Sequence, residues 1–316
     1  MSVERLQRAL NLIHANDEAG VAEIREVAAT GDPQALFLLG HLHWCGILTE
    51  QDPQRARSLF EAAASRGHGQ ANVIMTNLLG SGIAGTRNWA AAIERLAVEA
   101  AKIPERRAAF NVLSAMQLDA AGDPVRPAES NRISDSPDAR LFPRLLTAEE
   151  CAYLISAAGQ FEQSMVYDGQ GQLVRDTIRT SDGATFHWDI EDPAIHAINR
   201  RIAAASGTRY DEGEALQVLR YTPGQEYRPH FDWVDSAANQ RIWTALIYLN
   251  DDYVGGATSF VRTGVEIKGR TGDVLLFSNA RRDGHGDELA EHAGMPVTSG
   301  TKYLATRWIR ERRWIP

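Results

Sequence analysis

The sequence predicts a two-domain chain: an N-terminal all-α helical-repeat solenoid, then a C-terminal double-stranded β-helix (jelly roll) with supporting helices. Three observations predict it. A repeat of period 36 runs through the first hundred residues, and periods near that length mean stacked helix pairs. Many short apolar runs separated by glycine-rich turns fill the second half, as a jelly roll requires. Between them, residues 121–139 are polar and carry Pro124, Pro127 and Pro137, the composition of a linker. The expected boundaries are 1–120 for the repeats, 121–139 for the linker and 140–316 for the β domain.

The repeat emerges when residues 28–64 are laid over 64–100. Gly31 falls on Gly67, Ala35 on Ala71, Gly46 on Gly82, Ile47 on Ile83 and Asp52 on Asn88. Leu6, Leu10 and Ile13 predict a helix ahead of the repeats. Ala35 to Gly40 begins the first helix of a pair and Gly46 ends it near a turn. Asp52 then suits an N-cap, with Pro53 at the first helical position. Ala56, Leu59, Phe60, Ala63 and Ala64 follow at helical spacing. The small Ala and Gly residues let helices pack closely. Residues 20–101 resemble the Sel1-like subclass of tetratricopeptide repeats. Such solenoids present a concave face to peptides or proteins. A helical cap that only supports the second domain is the other reading, because fold does not decide function. Trp44 and Trp89 read as packing residues. Helical pattern continues from Pro104 to about Leu118.

The second domain starts near Leu141-Phe142. Thr147-Ala148-Glu149-Glu150 reads as a capping box opening a helix with Tyr153, Leu154 and Ile155 on its apolar face. Ala215 to Tyr221 reads as a strand, with Leu216, Val218 and Arg220 alternating against Gln217, Leu219 and Tyr221. Thr222-Pro223-Gly224 is a turn signal, so the next strand is expected to complete a hairpin and to begin near His230. Further strands are expected at 242–249, 257–261, 273–277 and 302–309.

His-x-Asp occurs three times: His187-Trp188-Asp189, His230-Phe231-Asp232 and His285-Gly286-Asp287. Residues two apart on a strand share a face, so His230 and Asp232 can reach one metal from a strand or its end. With His292 they make two imidazoles and one carboxylate, a set that holds non-haem Fe(II) by one octahedral face and leaves the other open. The first copy precedes a loop, Ile190-Glu191-Asp192-Pro193, that leads into a helix. The third lies in a Gly- and charge-rich loop and reads as solvated.

The context of the middle copy is more specific. The run from Tyr221 to Asp232 resembles the first metal-ligand motif of the prolyl 4-hydroxylase group of 2-oxoglutarate/Fe(II) oxygenases. Arg241 to Asn250 resembles the next strand of that family. Gly255-Gly256-Ala257-Thr258-Ser259-Phe260 resembles its Gly-Gly-Glu-Thr segment, with Ala257 in place of the usual Glu. His292 to Lys302 resembles the segment holding the second His ligand and the co-substrate lysine. The resemblance runs in order from about Leu141 to Trp308. It implies His230, Asp232 and His292 as catalytic iron ligands. It implies Lys302 on the far carboxylate of 2-oxoglutarate, Tyr221 and Thr258 donating hydrogen bonds to it, and Trp308 lining the same pocket. A cation is needed there in any case, because an unpaired charge in an apolar barrel is costly. Tyr227 and Arg241 match positions that face the substrate, and Arg179-Thr180-Ser181 resembles a segment of an early family strand. The Ala257 departure bears on substrate preference more than on metal binding.

The expected activity is therefore a dioxygenase using Fe(II), 2-oxoglutarate and O2, with ascorbate a further requirement the resemblance admits. It would hydroxylate an unactivated C–H bond of a peptidyl side chain, prolyl first, recruited in part by the repeats, with release of succinate and CO2. Two alternatives stay open: a free amino acid or small metabolite as substrate, and a repeat-based adaptor with an inactive oxygenase fold.

Composition bounds the rest. A net charge of −8 argues against nucleic acid, which needs a basic footprint. Arg307, Arg310, Arg312 and Arg313 make a local basic tail that reads as a solvated end. Two cysteines, Cys45 and Cys151, imply no disulfide framework. The run Met1 to Arg8 has no apolar signal core and no segment reaches transmembrane length. A cytoplasmic protein is the simplest expectation.

Overall fold

The computed structural model describes residues 2–167, 173–234 and 237–314. The chain divides into two compact units. One comprises the residues up to Phe110 together with Trp188–Pro193; the other comprises Asn111–His187 and Ala194–Pro316.

The first unit holds α1 (Ser2–His14), α2 (Ala19–Ala29), α3 (Pro33–Cys45), α4 (Pro53–Ala64), α5 (Gly69–Ser81) and α6 (Trp89–Ala100), and α7 (Pro104–Ala115) spans the division. The pair α3–α4 recurs as α5–α6 at an offset of 36 residues. The caps explain the period. Gly46 and Gly82 both end their helices at left-handed φ, 68° and 75°, where a side chain would be strained. Asp52 accepts from Arg55 N–H at 2.9 Å and Asn88 from Ala91 N–H at 3.1 Å, so each is an N-cap with Pro53 or Trp89 behind it. Phe60 is fully buried on α4, with its ring 5.9 Å from Phe37 and 6.2 Å from Trp44. Truncating Phe60 to Ala is expected to destabilise this unit by about 3–5 kcal/mol, read by chemical denaturation. A loss under about 1 kcal/mol would show that Phe60 does not hold the helix pairs together.

The second unit contains α8 (Ala148–Ala157), all but the first residue of α9 (Pro193–Ser206), and the strands. In chain order these are β1 (Asn131–Asp135), β2 (Asp138–Phe142), β3 (Glu162–Gln163), β4 (Met165–Tyr167), β5 (Leu173–Arg175), β6 (Asp182–Phe186), β7 (Leu216–Tyr221) and β8 (Tyr227–His230). There follow β9 (Arg241–Tyr248), β10 (Val254–Gly255), β11 (Thr258–Phe260), β12 (Val265–Ile267), β13 (Val274–Ser278), β14 (His292–Gly294), β15 (Val297–Ser299) and β16 (Lys302–Arg310). An eight-stranded antiparallel sheet has the order β1-β2-β13-β9-β16-β7-β6-β3, and a four-stranded one the order β12-β11-β14-β8. One buried cluster joins them: Leu219, Tyr221, Leu246, Tyr248, Phe277 and Leu304 from the large sheet meet Phe260 and Ile267 from the small one.

Alternation along β16 shows how the large sheet serves two faces. Lys302, Leu304, Thr306 and Trp308 line a pocket on the inner side. Arg307, between them, is buried on the other side, where its Nη1 donates to Asn199 O of α9 at 2.7 Å. Helix α8 carries the expected capping box, Thr147 with Glu150, and Arg201 of α9 clamps the same Glu150 at 2.6 and 2.8 Å.

Two expectations are corrected. The strands β7 and β8 are not a hairpin: β7 pairs with β6 and β16, β8 with β14. The turn at Thr222-Pro223-Gly224 instead carries the chain from one sheet to the other, and His230 ends β8 rather than starting it. The stretch 121–139, expected as a linker, contains β1 and the start of β2, which pairs with β13. Its polarity is that of an exposed edge strand, which composition alone does not separate from a linker. Among the described residues no helix is long and apolar enough to cross a membrane. Cys45 and Cys151 are both free.

Candidate metal centre and co-substrate pocket

Strand pairing makes the site. His292 lies directly opposite His230 in the β14–β8 register, although 62 positions separate them in the chain. Past the end of β8, Phe231 turns outward, 42% exposed, and Asp232 turns back in, 4% exposed. Asp232 Oδ1 is 3.8 Å from His230 Nε2, and Oδ2 is 3.7 Å from His292 Nε2. These gaps are too long for hydrogen bonds. All three ligand atoms lie within 4.8 Å of one another, so one small ion can reach them all.

The protonation states fit that use. His230 Nδ1 lies 2.8 Å from Arg228 O and His292 Nδ1 lies 3.0 Å from Ala290 O. A carbonyl only accepts, so each Nδ1 carries the hydrogen and each Nε2 presents its lone pair to the gap. Burial pushes the His230 imidazole down to about 4, with His292 adding in the same direction, so it is neutral near pH 7. Burial works against the Asp232 carboxylate, yet His292, His230 and the Thr244 hydroxyl hold its pKa below the ordinary value. Neutral imidazoles and an ionised carboxylate are what a divalent ion needs.

The pocket beyond the triad is lined by Leu219, Tyr221, Thr258, Lys302, Leu304 and Trp308 among others. Its empty space, open mouth included, is about 410 Å³. Lys302 is 2% exposed and donates to Gly256 O at 2.7 Å. Burial, reinforced by Lys268, pushes its ammonium down to about 7. Its Nζ lies 5.4 Å from the Tyr221 ring centroid, and the two residues are register partners across β7 and β16. Thr258 is buried, and Tyr248 donates to its Oγ1 at 3.0 Å. The Gly255-Gly256 turn is required by space as well as by φ. A Cβ on Gly255 would sit 2.4 Å from Pro296 O, and one on Gly256 would press Tyr253 and Lys302 at 3.0 and 3.2 Å.

The sequence-derived residues fall as follows. His230, Asp232, His292, Tyr221, Thr258, Lys302, Trp308 and Tyr227 all line the one pocket. Tyr227 stacks on His230 with ring centroids 3.4 Å apart. Arg241 is not in the lining. Glu214 binds its guanidinium at 2.6 and 2.9 Å, and it lies 3.9 Å over the Trp308 ring. Arg179 sits 5.7 Å from the Tyr227 ring and donates to Gln217. Ala257, half-buried, accepts from Met295 N–H through its backbone. Of the rival tripeptides, His285 is exposed in its loop, and His187 and Asp189 fall in different units.

Thr244, Leu246, Leu304 and Thr306 escaped the sequence reading. Thr244 donates to Asp232 Oδ2 at 2.6 Å, and the other three line the pocket. Strand alternation carries the missing signal: they share faces with Tyr248, Lys302 and Trp308 at steps of two.

Known proteins are similar to this chain in sequence over the same domain. Residues 216–310 match the pattern of the 2OG-Fe(II) oxygenase superfamily. Prolyl 4-hydroxylase 1 of Arabidopsis thaliana is 36% identical over 201 residues, covering 57% of this chain and 71% of that protein. Probable prolyl 4-hydroxylase 6 of the same plant is 34% identical over 222 residues, 62% of this chain and 77% of that one. A solved viral collagen prolyl hydroxylase from Paramecium Bursaria Chlorella virus-1, in its 2OG complex, is 28% identical with a TM-score of 0.42. It covers 54% of this chain and 95% of that chain.

Proposed function

The chain belongs to the prolyl 4-hydroxylase group of the 2OG-Fe(II) oxygenase superfamily and is an oxidoreductase that uses Fe(II), 2-oxoglutarate and O2; from that premise we propose that it hydroxylates a prolyl residue within a peptide or protein. When bound, the ferrous ion and the keto acid together activate O2, and succinate and CO2 are released as the substrate C–H bond is oxidised. His230, Asp232 and His292 are assigned to the iron. Lys302 pairs with the far carboxylate of 2-oxoglutarate, and Tyr221 and Thr258 donate hydrogen bonds to it, charge-assisted contacts of the strong kind. Trp308 closes the side wall. Tyr227 is assigned to the substrate side, and Arg241 acts there through the indole it covers.

The observation that carries the reading is one pocket shared by a three-ligand cluster and a buried lysine. A peptide is favoured over a free metabolite by exposed apolar residues in the segments that carry and flank the ligands. Phe231 and Val234 flank Asp232 and are exposed, as is Ile178, whose carbonyl binds Arg228 N–H beside the ligands. Exposed apolar groups beside the metal-ligand segment suit contact with a polypeptide. We assign the two sheets to the double-stranded β-helix of the family, from about residue 140. The preceding helices are assigned to Sel1-like repeats that help recruit the polypeptide.

Mass spectrometry tests the assignment. The enzyme is incubated with Fe(II), 2-oxoglutarate and either cell extract, prolyl peptides or free proline. A gain of one oxygen on peptidyl proline, dependent on both additions, is expected. Oxygen gained by the free amino acid alone would move the substrate to a small metabolite. Absence of 2-oxoglutarate binding and turnover would leave only the adaptor.

A further inference from the structure

We propose that Asn279 is a positioning residue for the metal centre: acting through Thr244, it keeps one oxygen of Asp232 off the ion, so that the aspartate binds through the other oxygen alone. The inference rests on His230, Asp232 and His292 being the iron ligands. Asn279 follows the last residue of β13 and is 1% exposed. Its backbone is pinned on both sides, donating to Ile242 O and accepting from Asp287 N–H, each at 2.9 Å. Its side-chain Nδ2 donates to Thr244 Oγ1 at 2.9 Å.

A threonine hydroxyl has one proton to give. With an amide hydrogen already aimed at Oγ1, that proton goes to Asp232 Oδ2, and the 2.6 Å separation is that of a bond to an ionised oxygen. Turned over, the amide would offer Thr244 a second acceptor and compete with the carboxylate for the same proton. A bond to a buried charge is worth more than one to a neutral carbonyl, so the nitrogen faces Thr244. The other end of the amide bears the cost: Asn279 Oδ1 is buried with no hydrogen-bond partner. A buried polar side chain used from one end only has its reason at that end.

The consequence is a count of coordination positions. Two imidazoles and one carboxylate oxygen occupy one face of an octahedron. A chelating keto acid would take two of the remaining positions and leave one for O2. An aspartate bound through both oxygens would fill that last position. Thr244, oriented by Asn279, holds Oδ2 in a hydrogen bond instead.

Full-length protein loaded anaerobically with Co(II) gives a spectroscopic readout independent of turnover, and the O2 dependence of the Fe(II) enzyme gives a second. Asn279→Leu deletes the amide, Asn279→Asp replaces the donor by an acceptor, Thr244→Val deletes the hydroxyl and Thr244→Ser keeps it. Asn279→Asp and Thr244→Val are expected to shift the Co(II) spectrum toward higher coordination. Both should raise KM for O2 by about tenfold, with KM for 2-oxoglutarate within about twofold of the parent. Thr244→Ser should restore both readouts. The double variant Asn279→Leu/Thr244→Val should be no worse than Thr244→Val, because both act through one hydroxyl. Folded variants with the parent spectrum and parent KM for O2 overturn the inference while leaving the metal assignment intact, as do losses that multiply in the double variant. Failure of the parent protein to bind Co(II) overturns the metal assignment and this inference together. Should Thr244→Val not fold, Asn279→Asp against Thr244→Ser decides it.

Discussion

Replacing Asp232 by Ala will abolish 2-oxoglutarate turnover and leave the protein folded. The side chain is 4% exposed and is the anionic member of the cluster. Without it, two imidazoles remain, with no negative charge to offset a divalent ion. Removing a residue that only orients a ligand typically costs ten- to a hundredfold in metal affinity or activity. Loss of the charged ligand itself should exceed about a hundredfold. Stability will respond less, because two effects oppose. The Thr244 hydroxyl loses its acceptor at 2.6 Å, which costs about 1–3 kcal/mol. In return, a carboxylate no longer has to be held away from water. Succinate release measured beside thermal unfolding separates the two quantities. Unchanged succinate release from folded, metal-replete Asp232→Ala protein would sink the assignment of the site.

The second large effect lies at Lys302, where affinity for 2-oxoglutarate should fall as pH rises above about 7. Burial pushes the free ammonium down to about 7, whereas pairing with a carboxylate requires the charged form. Above that pH, binding must therefore take up a proton. Each further pH unit should weaken binding about tenfold, equivalent to about 1.4 kcal/mol. Calorimetric titration in buffers of different ionisation enthalpy measures the proton uptake directly, and pH-independent binding from 7 to 9 would refute it. The same depression has a stability counterpart. Between about 7 and the ordinary lysine value of 10.5, the unfolded chain binds more protons than the native one. This group therefore makes the unliganded fold more stable as pH rises through that window. Lys302→Ala removes the pH dependence and costs about 2–5 kcal/mol of binding, as expected for truncating one partner of a buried charge pair.

Much of the site was legible in the primary structure because its signals are local. His230 and Asp232 sit two apart at a strand end, and Lys302 and Trp308 lie on one face of one strand, where a period of two is enough to place them together. The helical caps were legible for the same reason: Asp52, Asn88, Gly46 and Gly82 act within a turn of their own helix. Thr244 and Asn279 were not, since each matters only through a partner in another segment of the chain. The position of Arg241 was not either. A basic residue at a family position reads as substrate-facing until Glu214 and Trp308 are seen to occupy its guanidinium.

By itself, the order of residues determined the 36-residue helical period, the strand faces and which two imidazoles and one carboxylate to look for together. It did not determine that β7 and β8 part company into different sheets, or that His292 comes to lie opposite His230. Those were decided by the tertiary structure. Which strands pair depends on which apolar faces can be buried together across the whole sheet domain, and no single segment carries that information.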